Sequence, residues 1–200
     1  MAAFNRQIDV NVKGVAAAVR AAVPLMTDGG RIVSIGTTGA VHVPFAGAAD
    51  YVATKAAVAA YIVLIAVPWS KLPSALSGLP NWNGRIVIDA NNPIEAPLFK
   101  PAELNGRLST EIVAGLVPGA RVVKAFNHLL AALLTKDPHA EGGERVLFYS
   151  GDDGNAKAKV ADLIAQLGFA GVDLGPISIG GRLAQFPGGP LPANNFVKFA

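Results

Sequence analysis

Short runs of β-branched and aliphatic residues alternate along this chain with longer stretches whose apolar positions recur every three or four residues. The first pattern predicts buried strands and the second helices. Phe4 to Met26 carries Ile8, Val12, Val15, Ala16, Val19 and Val23 at near-helical spacing, and Asp28-Gly29-Gly30 ends it. Arg31 to Gly36 reads as a short strand stopped by glycine. After a loop with Gly39, Pro44 and Gly47, Asp50 is placed to cap a helix carrying Tyr51 and Lys55. Tyr61 to Val67 is the next strand, stopped by Pro68, and a short helix follows at about Leu72 to Leu76. Arg85 to Asp89 is a strand whose turn is Asn91-Asn92-Pro93. A helix is expected near Thr110 to Gly115, then strands at Arg121 to Phe126 and Arg145 to Tyr149. Asp152-Asp153 caps a helix running to about Leu167, and Val172 to Leu174 is a short last strand. The Gly- and Pro-rich tail, Gly180 to Ala200, is expected to be mostly irregular.

Helices alternating with six short apolar strands predict an α/β fold: one mainly parallel sheet with helices on both faces. Composition agrees, because 52% hydrophobic and only 16% charged residues suit strands buried on both sides. A chain of 200 residues can build one domain with its own core. The absence of cysteine excludes disulfides, thiolate catalysis and Cys-based zinc sites. Three scattered histidines (His42, His128, His139) predict no metal site. A net charge of +3 without any Lys/Arg run predicts no nucleic-acid partner. The longest apolar run, Ala56 to Trp69, is too short to span a bilayer and contains Pro68. The first residues have Asn5, Arg6, Asp9 and Lys13 where a signal peptide needs an apolar core. A soluble, cytoplasmic protein with no membrane partner is therefore expected.

The candidate chemistry starts at Tyr51 and Lys55, which share one helix face. An ammonium beside a phenol favours the ionised form, whose reference pKa is about 10. That is one way to build a proton donor for carbonyl reduction near neutral pH. Ile8-Asp-Val-Asn11-Val-Lys-Gly14, Gly29 to Gly36 and the Tyr51-x-x-x-Lys55 pair, in this order, resemble the catalytic segment of the short-chain dehydrogenase/reductase family. The resemblance covers about residues 1 to 60. It implies that Tyr51 moves the proton, Lys55 tunes it and reaches the nicotinamide ribose, and Asn11 supports a water relay. The family's Ser is replaced here by a threonine: Thr38 by spacing, or Thr37, which directly follows the Ile-Gly turn.

From about residue 62 the resemblance changes. Leu64 to Trp69, Gly84 to Pro93, Lys124-Ala-Phe-Asn127, Ser150-Gly-Asp-Asp153 and Val172-Asp-Leu-Gly175 resemble the NADP-dependent deazaflavin-coenzyme reductases and their relatives. That resemblance implies a Rossmann-like fold with NADP or NAD as cofactor. Val67, Pro68 and Trp69 would line the pyrophosphate and nicotinamide side, and Asn92 and Pro93 the nicotinamide. The N-terminal βαβ unit with the glycine fingerprint of either family is absent from the sequence. Gly151-Asp-Asp-Gly154 precedes a helix, but two carboxylates at a helix start repel a pyrophosphate and are read as caps.

The two resemblances together describe a single hybrid domain, residues 1–200, with a join near Val58 to Tyr61. The function expected is an NAD(P)-dependent oxidoreductase acting on a small carbonyl or alcohol substrate. The alternative is a folded but catalytically inactive hybrid that binds nucleotide weakly or not at all. A sheet shortened at one edge exposes backbone and apolar surface, which predicts a homo-oligomer. Bland roles compete at individual positions: Trp69 as a core aromatic, Asn92 as a turn residue, Asp89 as a cap, His128 as a helix-start residue.

Overall fold

The computed structural model describes Arg6, Val10 and residues 62–79, 81–95 and 98–199. The chain divides into two compact units between Tyr61 and Ile62. Apart from Arg6 and Val10, the helix expected at Phe4 to Met26, the strand at Arg31 to Gly36 and the helix of Tyr51 and Lys55 lie outside the described residues.

In the second unit the strands are β1 (Val63–Ile65), β2 (Ile86–Asp89), β3 (Ile94–Glu95), β4 (Lys100–Pro101), β5 (Arg121–Ala125), β6 (His139–Ala140), β7 (Gly143–Gly151), β8 (Ala170–Asp173) and β9 (Val197–Lys198). The helices are α1 (Leu72–Leu76), α2 (Ser109–Leu116), α3 (Ala131–Leu134), α4 (Gly154–Gln166) and α5 (Arg182–Ala184). Among the described residues, β1, β2, β5 and β7 are neighbours in that order in a sheet, with β6, β8 and β9 also on β7. β3 and β4 form a separate hairpin.

The fold is Rossmann-like, and period-two alternation explains its layers. Val87 of β2 and Val122 of β5 pack with Leu72 of α1, Val113 of α2 and Trp82. Their neighbours Ile88 and Val123 pack on the other face with Ala156, Val160 and Ile164 of α4. Those α4 positions recur every four residues, the spacing of one helix face. α4 starts where Asp153 accepts the Ala156 N–H at 2.7 Å and caps the helix as expected, while Asp152 accepts the Ile177 N–H instead. At α2, Glu111 reaches back 2.9 Å to the Leu108 N–H.

β1, β2 and β5 run parallel, and so do β7 and β8. The β5–β7 pair is antiparallel. The reason lies in the connections. A parallel return needs a long crossover, which α4 supplies between β7 and β8. Between β5 and β7 there is only the one-turn helix α3, and a hairpin from β6 delivers β7 from the opposite end. The turn of that hairpin has φ of +53° at Glu141 and +86° at Gly142, the twist a two-residue turn needs.

The tail is more ordered than its composition predicts. It forms a π turn (Ile177–Gly181), α5, and β9, which pairs with β7 at Glu144 and Arg145. The Ala193 N–H also donates to the His128 carbonyl at 2.8 Å. Residues 191–198 therefore close over the β7 side of the sheet, where Leu191 packs with Val146, Phe148 and Ala170.

Candidate functional site at the carboxyl ends of the parallel strands

β1, β2 and β5 end at one edge because they run parallel, and in open α/β sheets that edge is where ligands seat. The turns leaving it are Ala66-Val67-Pro68, Ala90-Asn91-Asn92-Pro93 and Phe126-Asn127-His128. They are joined side by side by buried polar contacts.

Asn91 is the staple between the first two turns. Its Oδ1 accepts the Val67 N–H at 2.9 Å. Its Nδ2 donates to the Ile65 carbonyl at 3.0 Å and to Asp89 Oδ1 at 2.9 Å. The Asn91 backbone N–H donates to the same Asp89 oxygen at 3.0 Å. Asp89 Oδ2 meets Lys124 Nζ of β5 at 3.1 Å, and both side chains are fully shielded from solvent. Lys124 Nζ also donates to the Asn91 carbonyl. A buried ion pair is tolerated only when further hydrogen bonds satisfy it, and Asn91 provides them for both partners.

The second and third turns are held by a reciprocal clasp. Asn92 Nδ2 donates to the Asn127 carbonyl at 2.8 Å, and Asn127 Nδ2 donates to Asn92 Oδ1 at 3.0 Å. Asn127 Nδ2 also donates to the Ala184 carbonyl at 2.6 Å. Both amide protons of Asn127 are thus used, while its buried Oδ1 accepts from no donor among the described residues. The preceding Phe126 sits at φ +62°, a conformation unusual for a bulky residue and one found where a chain must aim the next side chain.

His128 is 2% exposed and stacks edge-on against Phe148, with ring centroids 4.9 Å apart. Burial lowers its pKa to about 4; an interaction with the Val146 backbone opposes the shift. The imidazole is neutral at pH 7 and part of the packing rather than a metal ligand. Among the described residues, no group of three or more His, Asp or Glu could hold a metal ion.

Of the candidate residues, Asn11, Thr37, Thr38, Tyr51 and Lys55 lie outside the described residues. Val67, Pro68 and Trp69 follow β1 directly. Val67 and Trp69 are half-buried against the α1–α2 core, and Pro68 is exposed. The Val67 N–H is already bonded to Asn91 and Pro68 has no N–H, so these two positions offer apolar surface rather than anion donors. Asn92 joins the clasp, and Pro93 is buried, its carbonyl accepting from Ala102 at 2.9 Å. The residues missed by sequence reasoning are Asn91, Lys124 and Asn127. One signal was available: a lysine inside the apolar strand Arg121-Val-Val-Lys124-Ala requires a buried carboxylate, and Asp89 stands at its register partner.

Comparison with known proteins is consistent with this geometry. Residues 1–72 match the family model described as enoyl-(acyl carrier protein) reductase. A hypothetical protein from Sinorhizobium meliloti is 52% identical, with a TM-score of 0.65 over 68% of this chain and 66% of that one. A putative F420-dependent NADP-reductase from Arthrobacter sp. FB24 is 35% identical, with a TM-score of 0.50 over 62% of this chain and 60% of that one. The metalloreductase STEAP3 of Rattus norvegicus is 29% identical over 132 residues, which are 66% of this chain and 26% of that protein. The chain thus spans about a quarter of the rat relative and less than two thirds of each of the two solved structures. No helix among the described residues is long and apolar enough to cross a membrane. The chain is Rossmann-like in fold and similar in sequence to proteins described as reductases, one of them a putative F420-dependent NADP-reductase.

Proposed function

We propose that this chain is an NAD(P)-dependent oxidoreductase whose nicotinamide end lies against the carboxyl ends of β1, β2 and β5. The observation that carries the reading is the polar lock just described. Asn91, Asp89, Lys124 and the Asn92–Asn127 clasp hold three strand-end turns rigidly at the edge such folds use for ligands. The residues suit the nicotinamide half of a dinucleotide: Val67 and Pro68 offer apolar surface, and Asn127 Oδ1 is an acceptor without a donor among the described residues. They do not supply a pyrophosphate cradle. At the glycine-flanked start of α4, Gly151 to Gly154, Asp153 already accepts the Ala156 N–H and Asp152 accepts the Ile177 N–H at 3.0 Å.

When bound, a nicotinamide nucleotide supplies hydride transfer. The proton is the task of Tyr51, with Lys55 lowering its pKa, Thr38 or Thr37 polarising a small carbonyl or alcohol substrate, and Asn11 relaying water. A join near Val58 to Tyr61, between a short-chain-dehydrogenase-like piece and a deazaflavin-reductase-like piece, accounts for both sets of motifs. The division between Tyr61 and Ile62 supports it, while the reductase family match, residues 1–72, runs across the join. Titrating NADPH against tryptophan emission tests the binding claim, since half-buried Trp69 follows the β1 turn. A saturable change is expected; none at millimolar nucleotide would refute the proposal.

A second reading is an inactive, self-associating hybrid in the cytoplasm. The spent Val67 N–H favours weak nucleotide binding, and the exposure of Leu98 (71%), Phe99 (66%) and Phe199 (62%) favours a homo-oligomer. Sedimentation equilibrium distinguishes it: a strict monomer would count against self-association.

A further inference from the structure

We infer that Asn127 makes the site select a neutral carboxamide over a carboxylate or a ketone, through its free Oδ1. The inference rests on the proposal that the β1–β2–β5 edge binds the nicotinamide end of a dinucleotide.

Asn127 is 7% exposed. The orientation of its amide is set by two acceptors on one side, Asn92 Oδ1 at 3.0 Å and the Ala184 carbonyl at 2.6 Å, both facing Nδ2. Flipping the amide would set oxygen against oxygen at both contacts, so Oδ1 is the atom left over. Ser109, Thr110 and Ser150 also carry buried hydroxyls without a hydrogen-bond partner, but a hydroxyl can rotate toward a nearby acceptor. An amide oxygen cannot become a donor. Among the described residues no donor meets it, which leaves it open to an N–H or O–H of a ligand.

The charge at this edge narrows the choice further. Lys124 is the cation at the strand ends, and Asp89 and Asn91 consume it. Among the described residues the clasp itself is neutral: Asn92, Asn127 and the carbonyls of Asn127 and Ala184. A carboxylate brought to Oδ1 would set acceptor against acceptor, and a ketone would meet it with no donor. A carboxamide N–H meets it with the right polarity.

The test is calorimetric titration of the full chain with three dinucleotides. These are NADP+, its nicotinic acid analogue, which carries a carboxylate, and its 3-acetylpyridine analogue, whose methyl ketone has no N–H. Wild-type protein is expected to bind NADP+ about tenfold or more tightly than either analogue, the usual discrimination by one buried hydrogen bond. Asn127→Ala is expected to compress the three affinities to within about twofold. If Asn127→Ala does not fold, the wild-type series decides alone. Equal wild-type affinity for all three would overturn the inference while leaving nucleotide binding intact. It would mean that Oδ1 is satisfied by water only. No saturable heat with any of the three would overturn the nucleotide-binding proposal and this inference with it.

Discussion

His128 provides a quantitative test of the packing around the candidate site. Its ring is 2% exposed, and burial holds its pKa at about 4, below the ordinary histidine value of 6.5. The folded state therefore binds a proton less readily than the unfolded chain, and stability falls as pH drops below 6.5. The loss continues until pH 4, where the folded state itself begins to protonate. Linkage gives about 2 kcal/mol lost by pH 5 and about 3 kcal/mol by pH 4, close to its limit. Above about pH 7.5 the histidine contributes no pH dependence. Carboxylates titrate in the same range, so the measurement is a difference. Urea unfolding at pH 7.5 and pH 5.0 would be followed for wild type and for His128→Phe, which keeps a ring against Phe148. Wild type is expected to lose about 2 kcal/mol more than the variant over that interval. Equal losses would show that the imidazole is hydrated or paired in the folded protein, and the packing argument would fail.

Other expectations follow from the same contacts. Lys124→Met leaves Asp89 charged and alone in the core and should cost about 3–5 kcal/mol in denaturant unfolding. Adding Asp89→Asn should recover much of that loss. Asp153→Ala removes the cap on the Ala156 N–H and should lower stability by about 1 kcal/mol, read from the thermal midpoint. Gly180→Ala would bring a Cβ to 2.5 Å from that of Ser150 and 2.6 Å from that of Leu174, so it should cost about 1–3 kcal/mol. Tyr51→Phe should lower carbonyl reduction about 100-fold or more while leaving NADPH affinity unchanged; full activity would remove Tyr51 from the proton path.

The parallel strands and the long helix were legible because burial on both faces writes continuous apolar runs, and one-sided burial writes a four-residue repeat. Arg85 to Asp89 and Arg121 to Phe126 were expected as strands and are Ile86–Asp89 and Arg121–Ala125. β6 and β9 are two residues each, too short to show any period. The reversal of β7 depends on the length of its connection, which composition does not encode. At the site, Asn91-Asn92-Pro93 was recognisable as a turn. Which asparagine points inward was not: Asn91 staples β1 to β2, and Asn92 clasps Asn127. Asn127 stood in a recognised motif, but its spare acceptor depends on Ala184, 57 positions away.

The central claim is that the carboxyl edge of β1, β2 and β5 receives a nicotinamide nucleotide. Backbone amide NMR during titration with NADP+ tests it most directly. The account predicts saturable shifts concentrated at Ala66 to Trp69, Asn91 to Asn92 and Phe126 to His128. Shifts concentrated at Gly151 to Gly154, or a spectrum unmoved at millimolar nucleotide, would contradict it.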